Sequence, residues 1–241
     1  MFKHNACYKF TLVMLLTLLI PNHSFAAVKA LTCATTHYPP YTIFDQSNDR
    51  FTGLDMAIID PVFKQLNYDV KIVNIPWARL KKEIKKNTYD CYFSLAKLKD
   101  REQFLEYSNK PTHISRISIF YPENLQTTDL SGKKVGVYRG INFHQDILSF
   151  NSLRTSDFHE LPSNEVLFQM LSLKRLDAVV TSKVVGKYIL QNQYVDFKVK
   201  VLDIAEYKLP VYLAFKKGVI DINRVNTVLL KVINSLKPVP K

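Results

Sequence analysis

Apolar residues in this chain recur with two periods, and the two alternate along its length. Val28 to Thr36, Val70 to Ile75 and Cys91 to Ala96 are short, nearly continuous apolar runs and read as buried strands. Between them, Leu54, Ile58, Val62 and Leu66 recur every four residues on one helical face, and Trp77, Leu80 and Ile84 do the same with lysines opposite. Pro61 falls inside the first helical pattern, where it predicts a kink or a restart with Asp60 as N-cap. A short charged helix is expected near Arg101. A second set follows Pro122: a strand over Lys134–Tyr138, a helix over Asn142–Phe150, and a helix marked by Val166, Met170 and Leu171. Asp177–Thr181 is a short buried strand, and Ser182 can cap a helix running to Gln191. Phe197–Leu202 and Val211–Phe215 are two further strands, and a last helix spans Asp221–Leu236.

Strands alternating with helices predict an α/β protein, and two such sets predict two lobes, each a mixed sheet flanked by helices. The stretches near 112–122 and 204–210 read as the crossings between them. Residues 27–118 and 208–241 then form lobe 1, and 119–207 form an inserted lobe 2. Ligands of open α/β sheets bind beyond the carboxyl ends of the strands, so these ends should face one cleft.

The N-terminus changes the picture of location. Lys3 and Lys9 precede an apolar run of eleven residues, Phe10–Ile20, which Pro21 breaks. That run is about half of what a bilayer span needs. Ser24 and Ala26 suit a small-residue cleavage site, so residues 1–26 read as a signal peptide, leaving a secreted, periplasmic chain. Lys and Arg number 33 against 21 Asp and Glu, a formal charge of +12. A secreted chain with lysines such as Lys81, Lys82, Lys85 and Lys86 spread over a helix does not call for nucleic acid; they read as a solvated face. Cys33 and Cys91 survive cleavage. An oxidising compartment permits a bond between them, but parallel neighbours in one sheet seldom meet its geometry, which favours two buried thiols. Two cysteines without histidines nearby do not make a metal site, and no cofactor is expected.

The stretch Pro76–Pro111 carries the candidate chemistry. The turn over Ala96–Asp100 would set the Arg101 guanidinium beside free backbone N–H groups, an arrangement that holds a small carboxylate. In their order and spacing, YPPY at Tyr38–Tyr41, GLD at Gly53–Asp55, PW at Pro76–Trp77, YDCYFSLAKLKDR at Tyr89–Arg101 and YSNKP at Tyr107–Pro111 resemble the bacterial periplasmic solute-binding proteins of family 3, the polar amino-acid type. GKKVGVYRG at Gly132–Gly140, RLDAVVTS at Arg175–Ser182 and LAFKKG at Leu213–Gly218 extend the resemblance over nearly all of the chain after the leader. It implies a type 2 periplasmic-binding fold, a clamshell that closes on a small solute.

The same resemblance assigns roles. Tyr38 matches the aromatic that packs on the ligand, Trp77 the wall opposite, Ser94 a strand-end contact and Arg101 the arginine that pairs with the ligand carboxylate. Arg139 and Asn142 match the second lobe's strand-to-helix turn. The family's amine-binding members carry an acid where this chain has Ser182. With Arg79 and Lys97 adding positive charge and no matching acid, the cleft should prefer an anionic or carboxylate-bearing solute. His37 and His144 could lie near it but read as structural. The resemblance implies a monomer that delivers its solute to a membrane permease of the ABC type. Sensing for a membrane receptor or kinase is the alternative, and a dehydratase-like enzyme a more distant one, because that chemistry needs a general acid at the position Ser182 fills.

Overall fold

A computed structural model describes residues 28–125, 129–141 and 158–236. The helix expected over Asn142–Phe150, with Asn142 and His144, lies outside these residues, as does the leader.

The first set of elements runs β1 (Lys29–Thr35), the hairpin β2 (Ile43–Asp45) and β3 (Arg50–Thr52), α1 (Met56–Leu66), β4 (Tyr68–Asn74), α2 (Trp77–Lys85), β5 (Cys91–Ala96), α3 (Lys99–Glu102) and β6 (Leu105–Tyr107). Then come β7 (His113–Pro122), β8 (Val135–Tyr138), β9 (Phe158–Leu161), α4 (Asn164–Ser172), β10 (Ala178–Ser182), α5 (Lys183–Gln193), β11 (Val199–Lys216) and α6 (Ile222–Ser235). The small hairpin, β6 and β9 were not visible in the periodicity, because strands of three or four residues are too short to show it.

Nine strands form one sheet in the order β4-β1-β5-β11-β7-β10-β8-β9, with β6 also paired to β11. The two long strands, β7 and β11, run antiparallel through its centre. The first part of β11 pairs with β7 alone, and its last part, from Val211, pairs with β5 and β6. The predicted connection over 204–210 is therefore strand, interrupted by a bulge where the register jumps between Asp203 and Lys208. The predicted lobe boundaries, 118/119 and 207/208, fall inside these two strands.

Each half of the sheet is covered on both faces, as a two-lobed mixed sheet requires. Helices α1 and α6 pack on one face of the first half, with Ile59, Val62, Val225 and Leu229 wholly buried against Cys33, Cys91, Leu213 and Phe215. Each such aliphatic side chain contributes about 1.5–3 kcal/mol by leaving water. On the other face, Leu80 and Ile84 of α2 cover Tyr92 and Leu95. In the second half, α4 and α5 pack Leu167, Phe168, Val185 and Ile189 around Phe120. Strands β8 and β10 are buried at every position, which is why they read as unbroken apolar runs.

Three local expectations change. Helix α1 passes through Pro61 without a restart; it begins after Asp55 and ends on Asn67 in the left-handed region at φ 59°. Ser182 stands at the N-cap of α5, yet its side chain caps nothing. Most plainly, Cys33 and Cys91 are joined by a disulfide rather than kept as thiols. They are register partners on β1 and β5, and a Cα separation of 4.4 Å is close enough for the bond even between parallel neighbours.

The bond closes a loop of 58 residues around the helix, strand and turn that build one wall of the cleft. Replacing both cysteines by alanine is expected to lower the unfolding free energy by about 2–4 kcal/mol. Urea titration of oxidised protein against the double variant measures it.

Candidate functional site

The carboxyl ends of β1, β5 and β8 open on a cavity of about 540 Å³. Thr36 and Tyr38 follow β1, Ser94 and Ala96 end β5, and Tyr138, Arg139, Gly140 and Ile141 lie at the end of β8; all line it. Trp77, the first residue of α2, closes one side and Arg101 of α3 another.

Arg101 is 7% exposed. One guanidinium nitrogen donates to the Ala96 carbonyl at 2.9 Å, and the group lies 5.2 Å from the centre of the Trp77 ring, in cation–π range. Among the described residues no carboxylate comes within ion-pair distance of it. Burial pushes its ionisation below the usual arginine range, and only then do Tyr107 and Asp100 partly offset this. Lys81 stands near it. Burial, and next the Arg101 charge, hold Lys81 below the usual lysine value. Two cations thus share one wall; Asp100 and, for Lys81, Glu160 offset them in part, and neither forms an ion pair with them among the described residues.

The spacing of Trp77, Lys81 and Lys85 places all three on one side of α2, and that side faces the cavity. The lysines of this helix are therefore not all on a solvated face, as their distribution suggested. The i, i+4 spacing from a cleft tryptophan was the available signal. Arg79, by contrast, points away: its side chain is 69% exposed and pairs with Glu83 at 3.7 Å. Lys97 also turns aside, to Glu102 at 3.2 Å and over the Tyr107 ring. Neither lines the cavity.

Ser94 adopts φ 56°, a left-handed conformation rare for a serine inside a strand. Its hydroxyl donates to Asp55. Asp55 reaches the cleft floor because Gly53, at φ 114°, crosses the 40–41 backbone closely; a Cβ there would sit 2.5 Å from the Tyr41 carbonyl oxygen. The GLD motif is thus a close chain crossing that delivers a buried carboxylate. Asp55 and its second partner, His113, were absent from the sequence-based site. No short-range pattern joins them, since they lie 58 positions apart.

Tyr38 is buried, and burial raises its phenol to about 12, against the lowering effect of the neighbouring Thr181, Ser182 and Ser115 hydroxyls. Ser182 is wholly buried behind it and does not line the cavity; its Oγ meets no partner with good hydrogen-bond geometry. Arg139 lies exposed at the rim, anchored through its backbone N–H to Leu161.

Three polar contacts tie the residues after β1 and on α2 to the second half of the sheet. The Trp77 indole N–H donates to Gly140 O at 3.1 Å, the Thr36 and Tyr138 hydroxyls meet at 3.3 Å, and His37 Nε2 lies 3.4 Å from Glu165 at the start of α4. His37 thus has a partner across the cleft.

This architecture is matched by known proteins. The model of the bacterial extracellular solute-binding proteins, family 3, matches residues 31–236. The chain belongs to that family of solute-binding proteins. The L-cystine-binding protein TcyA of Bacillus subtilis (strain 168) is 23% identical over 185 residues, 75% of this chain and 67% of TcyA. The arginine-, lysine-, histidine-binding protein ArtJ of Geobacillus stearothermophilus superposes with a TM-score of 0.71 at 20% identity, covering 86% of this chain and 90% of ArtJ. The ancestral amino-acid-binding protein AncCDT-1, a precursor of cyclohexadienyl dehydratase, superposes at 0.69 with 21% identity over 86% of this chain and 90% of its own. These likenesses establish the two-lobed type 2 periplasmic-binding fold.

Two measurements follow from the cleft. The chain has one tryptophan, and it lines the cavity, so ligand entry is expected to change its emission; Trp77→Phe should abolish the signal while leaving calorimetric binding measurable. Burial raises the Glu165 carboxyl, but the His37 contact, its own helix-start N–H and Ser163 outweigh it, so the net shift is downward from 4.5. A lowered carboxylate stabilises the folded form above its ordinary value and loses that contribution as pH falls through the folded one. Acid unfolding should therefore begin at higher pH in wild type than its neutral-pH stability predicts. In Glu165→Gln that excess acid sensitivity should shrink, as read by melting temperature between pH 7 and pH 3.

Proposed function

We propose that this protein binds a small anionic, carboxylate-bearing solute in the interlobe cleft and delivers it, unmodified, to an ABC-type permease of the inner membrane. The observation that carries this reading is the buried Arg101 guanidinium with no carboxylate in ion-pair contact among the described residues. A buried charge without a partner is costly, and a solute carboxylate would supply the missing one through the bidentate fork that only arginine presents. The cavity lining agrees: Lys81, Lys82, Lys85, Arg101 and Arg139 outnumber Asp100 and Glu160 among the described residues. At the position where amine-binding members carry an acid, Ser182 has none to offer an ammonium group.

The related proteins named above are described as binding amino acids, cystine and basic amino acids among them. An anionic preference sets this chain apart from them and rests on the charge of its own cleft. Residues 27–118 with 208–241, and 119–207, are proposed as the two lobes that close on the solute. The antiparallel β7–β11 pair and the bulge between Asp203 and Lys208 support hinge points inside those strands. The ligand favours the closed form by touching both lobes.

Replacing Arg101 by methionine separates binding from stability. Removing an uncompensated buried charge is expected to leave the melting temperature of the ligand-free protein unchanged or raised. Affinity for acidic solutes should fall more than about tenfold, the scale of a lost charged hydrogen bond. A thermal-shift screen of the mature protein against amino acids, dicarboxylates, keto acids and sugar acids identifies the class, followed by calorimetry and recovery of the ligand intact. Preference for lysine or arginine over every acid tested would overturn the reading.

A further inference from the structure

The cleft has a second polar end, separate from the Arg101 wall. His113 begins β7 and lines the cavity with its side chain 12% exposed. Its Nδ1 lies 2.7 Å from an Asp55 oxygen, and its ring lies flat on Tyr41 with centroids 3.6 Å apart and planes 6° from parallel. The Asp55 carboxylate is 1% exposed and is also engaged by Ser94. The ring is therefore held from its edge and from its face. A carboxylate only accepts, so Nδ1 carries a proton and Nε2 is the uncommitted nitrogen.

Two positions along β7, on the same side of the strand, Ser115 also lines the cavity. It is 3% exposed, and its Oγ, near the Tyr38 hydroxyl, meets no partner with good hydrogen-bond geometry among the described residues. Leaving a buried hydroxyl unmade costs about 1–3 kcal/mol. Two polar atoms are thus fixed in the cleft by packing and by Asp55, and among the described residues neither makes a hydrogen bond of good geometry.

We propose that His113 and Ser115 form a second anion subsite, so that the cleft takes solutes with two carboxylates in preference to those with one. This deepens the Arg101 reading and rests on it. An ammonium group at this end would need a free acid, and Asp55 is already committed to His113 and Ser94. A carboxylate accepts from the Ser115 hydroxyl and from Nε2 when the ring carries both protons; Asp55 behind the ring then balances its charge. One carboxylate on Arg101 also leaves the remaining cations of the lining unmatched. Asp55 is a positioning residue here, acting through the imidazole.

The test is calorimetry on the mature protein with the series succinate to pimelate, each against the monocarboxylate of equal carbon count. For the best-fitting length, the diacid should bind at least about tenfold tighter than its partner, the scale of one charged contact. His113→Gln and Ser115→Ala should each shrink that ratio by at least about threefold, weakening diacids more than monocarboxylates. Asp55→Asn should shrink it likewise, which a merely structural role would not do. Ser115→Ala removes an unsatisfied group, so it should fold at least as well as wild type and keeps the test decisive if another variant does not fold. Equal affinity for diacids and monoacids, with Arg101→Met still weakening both, would overturn the second subsite and leave the Arg101 reading standing. A diacid preference unmoved by His113→Gln and Ser115→Ala would overturn it as well. Binding of neither class would overturn both readings.

Discussion

The antiparallel pairing of β7 with β11 is the constraint on which this molecule rests. Among the described residues these strands are the elements that run from one half of the sheet to the other, and each half is assembled on an end of the pair. Because the backbone ladder resumes on the far side of the bulge, the two halves share one frame. Because the ladder is broken between Asp203 and Lys208, the pair can bend there. Everything that lines the cleft is positioned relative to it: β5 pairs with one part of β11, β10 with β7, and His113 and Ser115 stand on β7 itself.

That frame brings cations together against their own electrostatics. Arg101 and Lys81 share a wall where burial already disfavours charge, and the Arg101 charge adds to the burden on Lys81. Folding tolerates this because Trp77 and the Ala96 carbonyl partly replace the lost hydration of the guanidinium. The remaining deficit is what an anion would relieve. A site that is strained empty and relaxed when filled converts ligand charge into closure free energy, which is the requirement for a two-state clamshell. The direct contacts Trp77–Gly140, Thr36–Tyr138 and His37–Glu165 lower the cost of that closure, since part of the interface is protein on protein.

Much of the fold was legible in the sequence. Most strands and helices of four or more residues announced themselves by period, because burial on one face or two leaves a regular trace; β9 did not, nor did β7, whose stretch reads as a crossing between lobes. The errors have local causes. The 204–210 stretch reads as a connection because a bulged edge-crossing strand loses alternation. Cys33 and Cys91 read as thiols because pairing rules are averages, while register sets the actual separation. The candidate site divided similarly. Tyr38, Trp77, Ser94, Arg101 and Arg139 line the cavity, and Arg79 and Lys97, picked for their charge, are turned away by Glu83 and Glu102.

By itself, then, the sequence determined the class of fold, the family and the general place of the cleft, since these follow from periodicity and from short motifs read along the chain. Only the tertiary structure decided which charges meet. Asp55 finds His113 across 58 positions, Lys81 comes within reach of the Arg101 charge, and Ser115 is buried without a well-formed hydrogen bond. Side-chain pairing of this kind depends on distances of a few ångströms between segments remote in the chain, and no local pattern encodes them.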